Sequence, residues 1–206
     1  MAKTKSNAAK NIIVLFVIAL VSVSILAVLN QITLEPIAKA EADAKAAVYK
    51  AVYTEAEEIT DVEDLEGLLT EYSANVIDPT VVINAALTAK DKSGNVIGYV
   101  IDATSPNGYG GDVRIAIGIS NEGEIKAFSV IDNSGETPGL GANSSNPEFS
   151  DQFSGLKADT IAFSKTGANR DNNEIDAISG ATITTTAVTQ AVNESISFYN
   201  NVLKGE

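Results

Sequence analysis

Between Asn11 and Leu34 the chain carries no charged residue, and from Ile12 to Leu29 only Ser22 and Ser24 interrupt a run of Val, Ile, Leu, Ala and Phe. At about 1.5 Å per residue that run reaches roughly 27 Å as a helix, and its uncharged flanks complete a bilayer span. It shows no polar stripe, which a helix buried against one side of a soluble domain would have. It is also longer than the apolar core of a cleaved signal peptide, and Ala27-Val28-Leu29 makes a poor small-residue cleavage site. The layout that follows is a leader over residues 1–10, a transmembrane helix over 11–34, a helical stalk over 35–75 and a folded domain over 76–206. Lys3, Lys5 and Lys10 precede the span, while Glu35 opens its far side. The positive-inside bias sets the leader in the cytoplasm and the domain on the extracytoplasmic face of the cell membrane.

Composition narrows the chemistry available to that domain. The chain has no Cys, no His and no Trp, and Met1 is its one Met. Haem and iron–sulfur ligation therefore lack their usual side chains, and a zinc site would have to be built from carboxylates alone. Catalysis by His or by a Cys nucleophile is excluded, so any redox chemistry must come from an organic cofactor. No metal ligand set and no catalytic residue pair is evident. The formal net charge is −13, and all of the acidic residues lie beyond the span. Such a surface repels phosphate backbones and speaks against nucleic acid as a partner; solubility accounts for most of the acidity.

Beyond the span, Ile37 to Ser73 is rich in Ala, Glu, Lys and Leu and reads as one or two helices, with Val48, Val52, Ala56 and Ile59 at helical spacing. Strand-like segments follow. Val81–Ala89 and Val96–Thr104 flank Asp91-Lys92-Ser93-Gly94-Asn95, and Val113–Ile119 and Ile125–Asp132 flank Asn121-Glu122-Gly123, which predicts two hairpins. Phe149, Phe153 and Leu156 predict a short helix, and Thr160 to Ser164 a further strand. A closing helix runs from about Thr182 to Leu203, with Ile183, Ala187, Val188, Ala191, Val192, Ile196, Tyr199 and Val202 as its apolar stripe. The fold class is α+β: one domain with an antiparallel sheet and flanking helices.

The most informative stretch is Asp176-Ala177-Ile178-Ser179-Gly180-Ala181-Thr182-Ile183-Thr184. It reads as a strand end, a glycine-permitted turn and a helix start, whose first free N–H groups and dipole favour an anion. Gly180 and Ala181 keep bulk away from such a group. Thr182 supplies a hydroxyl that can be esterified, and Ser179 and Thr184 supply hydrogen-bond donors. The same hydroxyls at Ser179 or Thr182 equally suit a plain helix cap. Glu136-Thr137-Pro138-Gly139-Leu140-Gly141 reads either as a surface turn or as a rigid wall offering an apolar contact, backbone donors and a carboxylate to a flat heteroaromatic ring. Lys165 stands either as a counter-charge to phosphate or as a solvated surface lysine. Gly108-Tyr109-Gly110-Gly111, between the hairpins, leaves the backbone free to bend or to approach a ligand closely.

In this order, Gly108–Gly111, Glu136–Gly141, Phe149–Phe153 and Asp176–Thr184 resemble the FMN-binding domain family, and more narrowly the G subunit of the Rnf complex, a membrane-bound ferredoxin:NAD oxidoreductase coupled to ion pumping. The resemblance runs from the span to the last helix. It implies that residues 76–206 form an FMN-binding domain, with FMN joined covalently through its phosphate to Thr182 by a flavin transferase that uses FAD. It implies that Asp176 is a transferase recognition residue and that Glu136, Thr137, Leu140 and Gly141 lie at the flavin. The implied partners are the other membrane and iron–sulfur subunits of the complex, the transferase during maturation and the lipid bilayer. The implied role is electron transfer within a translocase rather than an enzyme in isolation. The C subunit of the sodium-translocating NADH:quinone oxidoreductase shares the Ser-Gly-Ala-Thr turn and the single span but is typically longer. A non-redox flavin sensor, or a scaffold without cofactor, would share only the domain.

Overall fold

The computed structural model describes residues 2–204, with side chains from Ala8 onward, and divides into two compact units, up to Lys45 and from Ala46. The first unit is wholly helical, part of helix α1, Ala2–Val52. Every side chain from Ala8 to Ala44 is exposed, including the Ile, Val, Leu and Phe residues of the apolar run. Its mean hydropathy reaches 3.3 in its most apolar window, none of it buried. A helix that presents large aliphatic side chains on all sides is stable only in apolar surroundings. Pro36 lies inside α1. It removes one main-chain donor and crowds the carbonyl one turn earlier, yet the helix continues through it.

The second unit is built on a five-stranded antiparallel sheet in the order β1-β2-β3-β4-β5. These strands are β1 Glu58–Asp61, β2 Val82–Lys90, β3 Val96–Ser105, β4 Val113–Ser120 and β5 Ile125–Asp132. Both hairpins fall where the turn signals place them, because apolar side chains on the covered faces of the sheet pin the register. Helix α4, Thr182–Phe198, covers one face. Val188, Ala191, Val192 and Ile196 there join Tyr99, Ile101, Ile115, Ile117 and Ile119 of the sheet in one core. The opposite face receives the end of α1 and the turn after it, where Val52, Tyr53 and Ala56 pack with Leu87, Ala89, Val100 and Ala116.

Polar pairs lock both layers. On the α1 face the fully buried Asp102 carboxylate accepts from Arg114 Nε and Nη2 at 2.8 and 2.7 Å, from the Tyr49 hydroxyl at 2.6 Å and from Asn84 at 2.9 Å. A carboxylate supplied with that many donors offsets its own desolvation and fixes the end of α1 on the sheet. On the α4 face the buried Glu194 carboxylate accepts from the Tyr72 hydroxyl at 2.6 Å and from the N–H groups of Ile77 and Asp78 at 3.1 and 2.8 Å. That ties helix α2, Leu65–Tyr72, and the loop after it to α4.

The stretch 37–73, expected to be helical, contains β1 between its two helices. β1 pairs only with β2, at the edge of the sheet, through Glu58 with Lys90 to Asp61 with Leu87. Its Glu-Ile-Thr-Asp sequence has no alternation strong enough to announce it, so tertiary pairing overrides local propensity. Val48, Val52, Ala56 and Ile59 nevertheless share one cluster, although the last two lie beyond the helix. The predicted short helix is α3, Pro147–Ser150, continued by a 3-10 turn at Asp151–Phe153; Phe128 and Phe153 stack at 4.4 Å between ring centroids. The predicted strand at 160–164 is β6, Ala162–Ser164, which pairs in parallel with β7, Glu174–Asp176.

Burial raises the Tyr53 hydroxyl from an ordinary 10.0 to about 12, and it also raises Tyr72, assisted by the bond to Glu194, and Tyr199. A raised folded-state value favours the neutral phenol, so this contribution is complete below pH 10.0 and disappears as pH climbs towards about 12. Stability to denaturant, followed by circular dichroism, is expected to fall across that alkaline window; a flat profile there would contradict the burial of these phenols. Glu194→Leu strands its buried donors and is expected to destabilise the domain by about 3 kcal/mol.

Candidate functional site

The site forms where β7 gives way to α4. Ile178 is buried and anchors the turn that follows Asp176. Its N–H donates to Thr185 Oγ1 at 3.1 Å, and the Thr185 hydroxyl donates to the Ala181 carbonyl at 2.9 Å. Ala181 N–H closes the turn on the Ile178 carbonyl at 3.0 Å. Gly180 takes a φ of 74°, a left-handed conformation that an L side chain resists. One threonine inside the helix thus holds the turn from within.

The helix starts without a side-chain cap: the N-cap residue is Ala181, and neither Ser179 nor Thr182 takes that role. The first main-chain bond of α4 runs from Thr185 N–H to the Ala181 carbonyl at 3.0 Å. The N–H groups of Thr182, Ile183 and Thr184 lie ahead of it, with no acceptor among the described residues. The Thr182 hydroxyl likewise has no partner among them. Free donors at the positive end of a helix, beside an unengaged hydroxyl, make a place for an anionic ester.

The second wall is the loop 136–141. Glu136 is 5% exposed, and its carboxylate accepts from the Thr184 hydroxyl at 2.7 Å and from Gly110 N–H at 3.3 Å. Gly141 abuts that carboxylate and the Thr184 hydroxyl so closely that a Cβ there would collide with both. Between the walls lies a cavity of about 400 Å³, within the range of roughly 300–1,000 Å³ typical of cofactor sites. Of the residues nominated from the sequence, Glu136, Thr137, Leu140 and Gly141 line it from one side. Gly180, Ala181, Thr182 and Thr184 line it from the other.

The remaining nominees lie elsewhere. Ser179 faces a neighbouring depression of about 430 Å³, shared with Asp176, Glu148 and Gln152. The turn is the partition, so adjacent residues of one motif serve different surfaces. The Asp176 carboxylate accepts from Ala168 N–H at 2.8 Å, and its N–H donates to Gln152 Oε1 at 2.6 Å. Lys165 is exposed and lines neither cavity. Glu136, besides lining the first cavity, braces one wall against the other through its bonds to Thr184 and Gly110. Tyr109 and Ile183 also line the cavity. Ile183, counted above in the apolar stripe of the last helix, is 52% exposed and points away from the core. Thr185 carried no sequence signal apart from its place in a threonine-rich helix start.

Known proteins resemble this chain in sequence and in fold. Residues 108–197 match the FMN-binding domain family. Over 195 residues the chain is 33% identical to the G subunit of the Na+-translocating ferredoxin:NAD+ oxidoreductase complex of Acetobacterium woodii, covering 93% of this chain and 91% of that one. The chain belongs to the family of Rnf G subunits. Another member, the G subunit of the ion-translocating oxidoreductase complex of Methanosarcina acetivorans, is 32% identical over 190 residues, 92% of this chain and 93% of its own. The fold of the family extends to the C subunit of the Na+-translocating NADH-quinone reductase from Parabacteroides distasonis. That crystal structure has a TM-score of 0.57 at 21% identity and covers 84% of this chain and 98% of that one.

Replacing Glu136 by Leu leaves the Thr184 hydroxyl and Gly110 N–H without their acceptor. It is expected to cost about 2 kcal/mol of stability and to speed amide exchange at Gly110, with Glu136→Gln milder on both counts. Unchanged exchange at Gly110 would show that this bond does not hold the two walls together.

Proposed function

We infer that this chain is the electron-transfer G subunit of a membrane-bound, ion-translocating ferredoxin:NAD oxidoreductase complex, carrying FMN covalently through a phosphoester to Thr182. The observation that carries the reading is the head of α4: a hydroxyl and three N–H groups with no partner among the described residues, all at one cofactor-sized cavity. A phosphate ester would engage those N–H groups, and the cavity walls would take a flat ring. FMN supplies the redox chemistry, exchanging one or two electrons and so linking one-electron centres to two-electron carriers.

The residues divide the work. Thr182 Oγ1 would hold the FMN phosphate as an ester, transferred from FAD with AMP as leaving group and the hydroxyl proton released. The N–H groups of Thr182, Ile183 and Thr184 neutralise phosphate charge with the helix dipole behind them. Thr185 and Gly180 hold the turn that presents them. Thr137, Leu140 and Gly141 bound the ring side of the cavity, while Glu136 braces it. Asp176, which shares a depression with Ser179 on the far side of the turn, would be the recognition residue for the flavin transferase during maturation. The apolar helix over 11–34 anchors the chain as a single pass, with the leader in the cytoplasm and the flavin domain extracytoplasmic. There the other membrane and iron–sulfur subunits of the complex would exchange electrons with it. A tether suits a compartment with no flavin pool to replace a lost cofactor.

Mass spectrometry of the peptide containing Thr182, from protein made alongside the transferase, is expected to show an FMN-sized increment that is lost in Thr182→Val and retained in Thr182→Ser. An unmodified wild-type peptide from the native host would sink covalent attachment at this position.

A further inference from the structure

Tyr109 is 69% exposed, yet it lines the cavity at the head of α4. A large aromatic side chain left in water needs a reason, and its surroundings supply one. Leu140 and Ile183 are also substantially exposed, at 42% and 52%, and they line the same cavity from separate segments of the chain. Three apolar side chains from three elements therefore converge on one space while remaining unburied in the protein alone.

The backbone carrying Tyr109 is tied on both sides. Asn107 Nδ2 donates to Thr80 Oγ1 at 2.8 Å and to Gln190 Oε1 at 3.2 Å. Gly110 N–H donates to Glu136 at 3.3 Å, and the Gly110 backbone lies against that of Gly135. The same Glu136 carboxylate holds Thr184 in the first turn of α4. One buried acid thus links the segment bearing Tyr109 to the helix start bearing Thr182. The Tyr109 hydroxyl has no partner among the described residues, so no internal bond explains the position of the ring.

We propose that Tyr109 is the aromatic wall of the cofactor site, stacking against the planar ring of a flavin anchored at Thr182 and shielding that face from water. This rests on the attachment reading above and adds a residue to it. Aromatic rings favour offset stacking on flat π-systems, and a tyrosine on a tethered backbone loses little conformational freedom in doing so.

The test uses the full chain, loaded with FMN by coexpression with the transferase and purified in detergent. Wild type, Tyr109→Phe and Tyr109→Leu are compared by flavin fluorescence per bound flavin and by iodide quenching. A phenol in contact with an excited flavin quenches it through reversible electron transfer; a phenyl ring does not. Both variants are expected to be several-fold brighter than wild type, and only the Leu variant to become markedly more accessible to iodide. Equal brightness in three fully loaded proteins would overturn the role of Tyr109 and leave the attachment intact. A wild-type protein carrying no flavin would overturn both.

Discussion

The bond from the Thr184 hydroxyl to the buried Glu136 carboxylate is the joint on which the site depends. It connects the first turn of α4 to the loop that faces it, and the same carboxylate reaches Gly110 in the connection between β3 and β4. Three segments far apart in the chain meet on one acid. Because the acid is out of water, each of its donors is worth more than a surface contact and is costly to lose. The cavity is therefore a preformed space with braced walls, and the apolar side chains of Tyr109, Leu140 and Ile183 in its lining stay exposed.

The sheet explains why that joint can be rigid. α4 packs its Val, Ala and Ile stripe on one face, and the end of α1 packs on the other. Each helix is then pinned by a buried acid, Glu194 for the first and Asp102 for the second. Buried carboxylates are expensive unless surrounded by donors, and both are. With its body held in this way, α4 can leave its first N–H groups without partners among the described residues, since packing along its length more than offsets the unsatisfied end.

Much of this was legible in the sequence, for identifiable reasons. The hairpins announce themselves because alternation and turn residues are local properties. The apolar run declares itself by length and by the absence of charge, and the Ser-Gly-Ala-Thr turn by its glycine and hydroxyls. β1 was not legible, because an edge strand of four residues owes its conformation to β2 rather than to itself. Nor was the split of the motif into two surfaces. Ser179 and Thr182 are three positions apart, yet the left-handed Gly180 between them turns the chain so that they face different depressions.

The sequence by itself determined the chemistry on offer: an organic cofactor if any redox group, a hydroxyl at a helix start and an apolar segment long enough to cross a membrane. Those depend on which side chains exist and how closely they follow one another. Only the tertiary structure decided what each does. It gave Glu136 the part of a brace between two walls of the cavity, left Lys165 outside that cavity, drew Ile183 out of the apolar stripe and set Tyr109 at its lining. Such roles follow from which distant segments share a wall, and no local pattern encodes that.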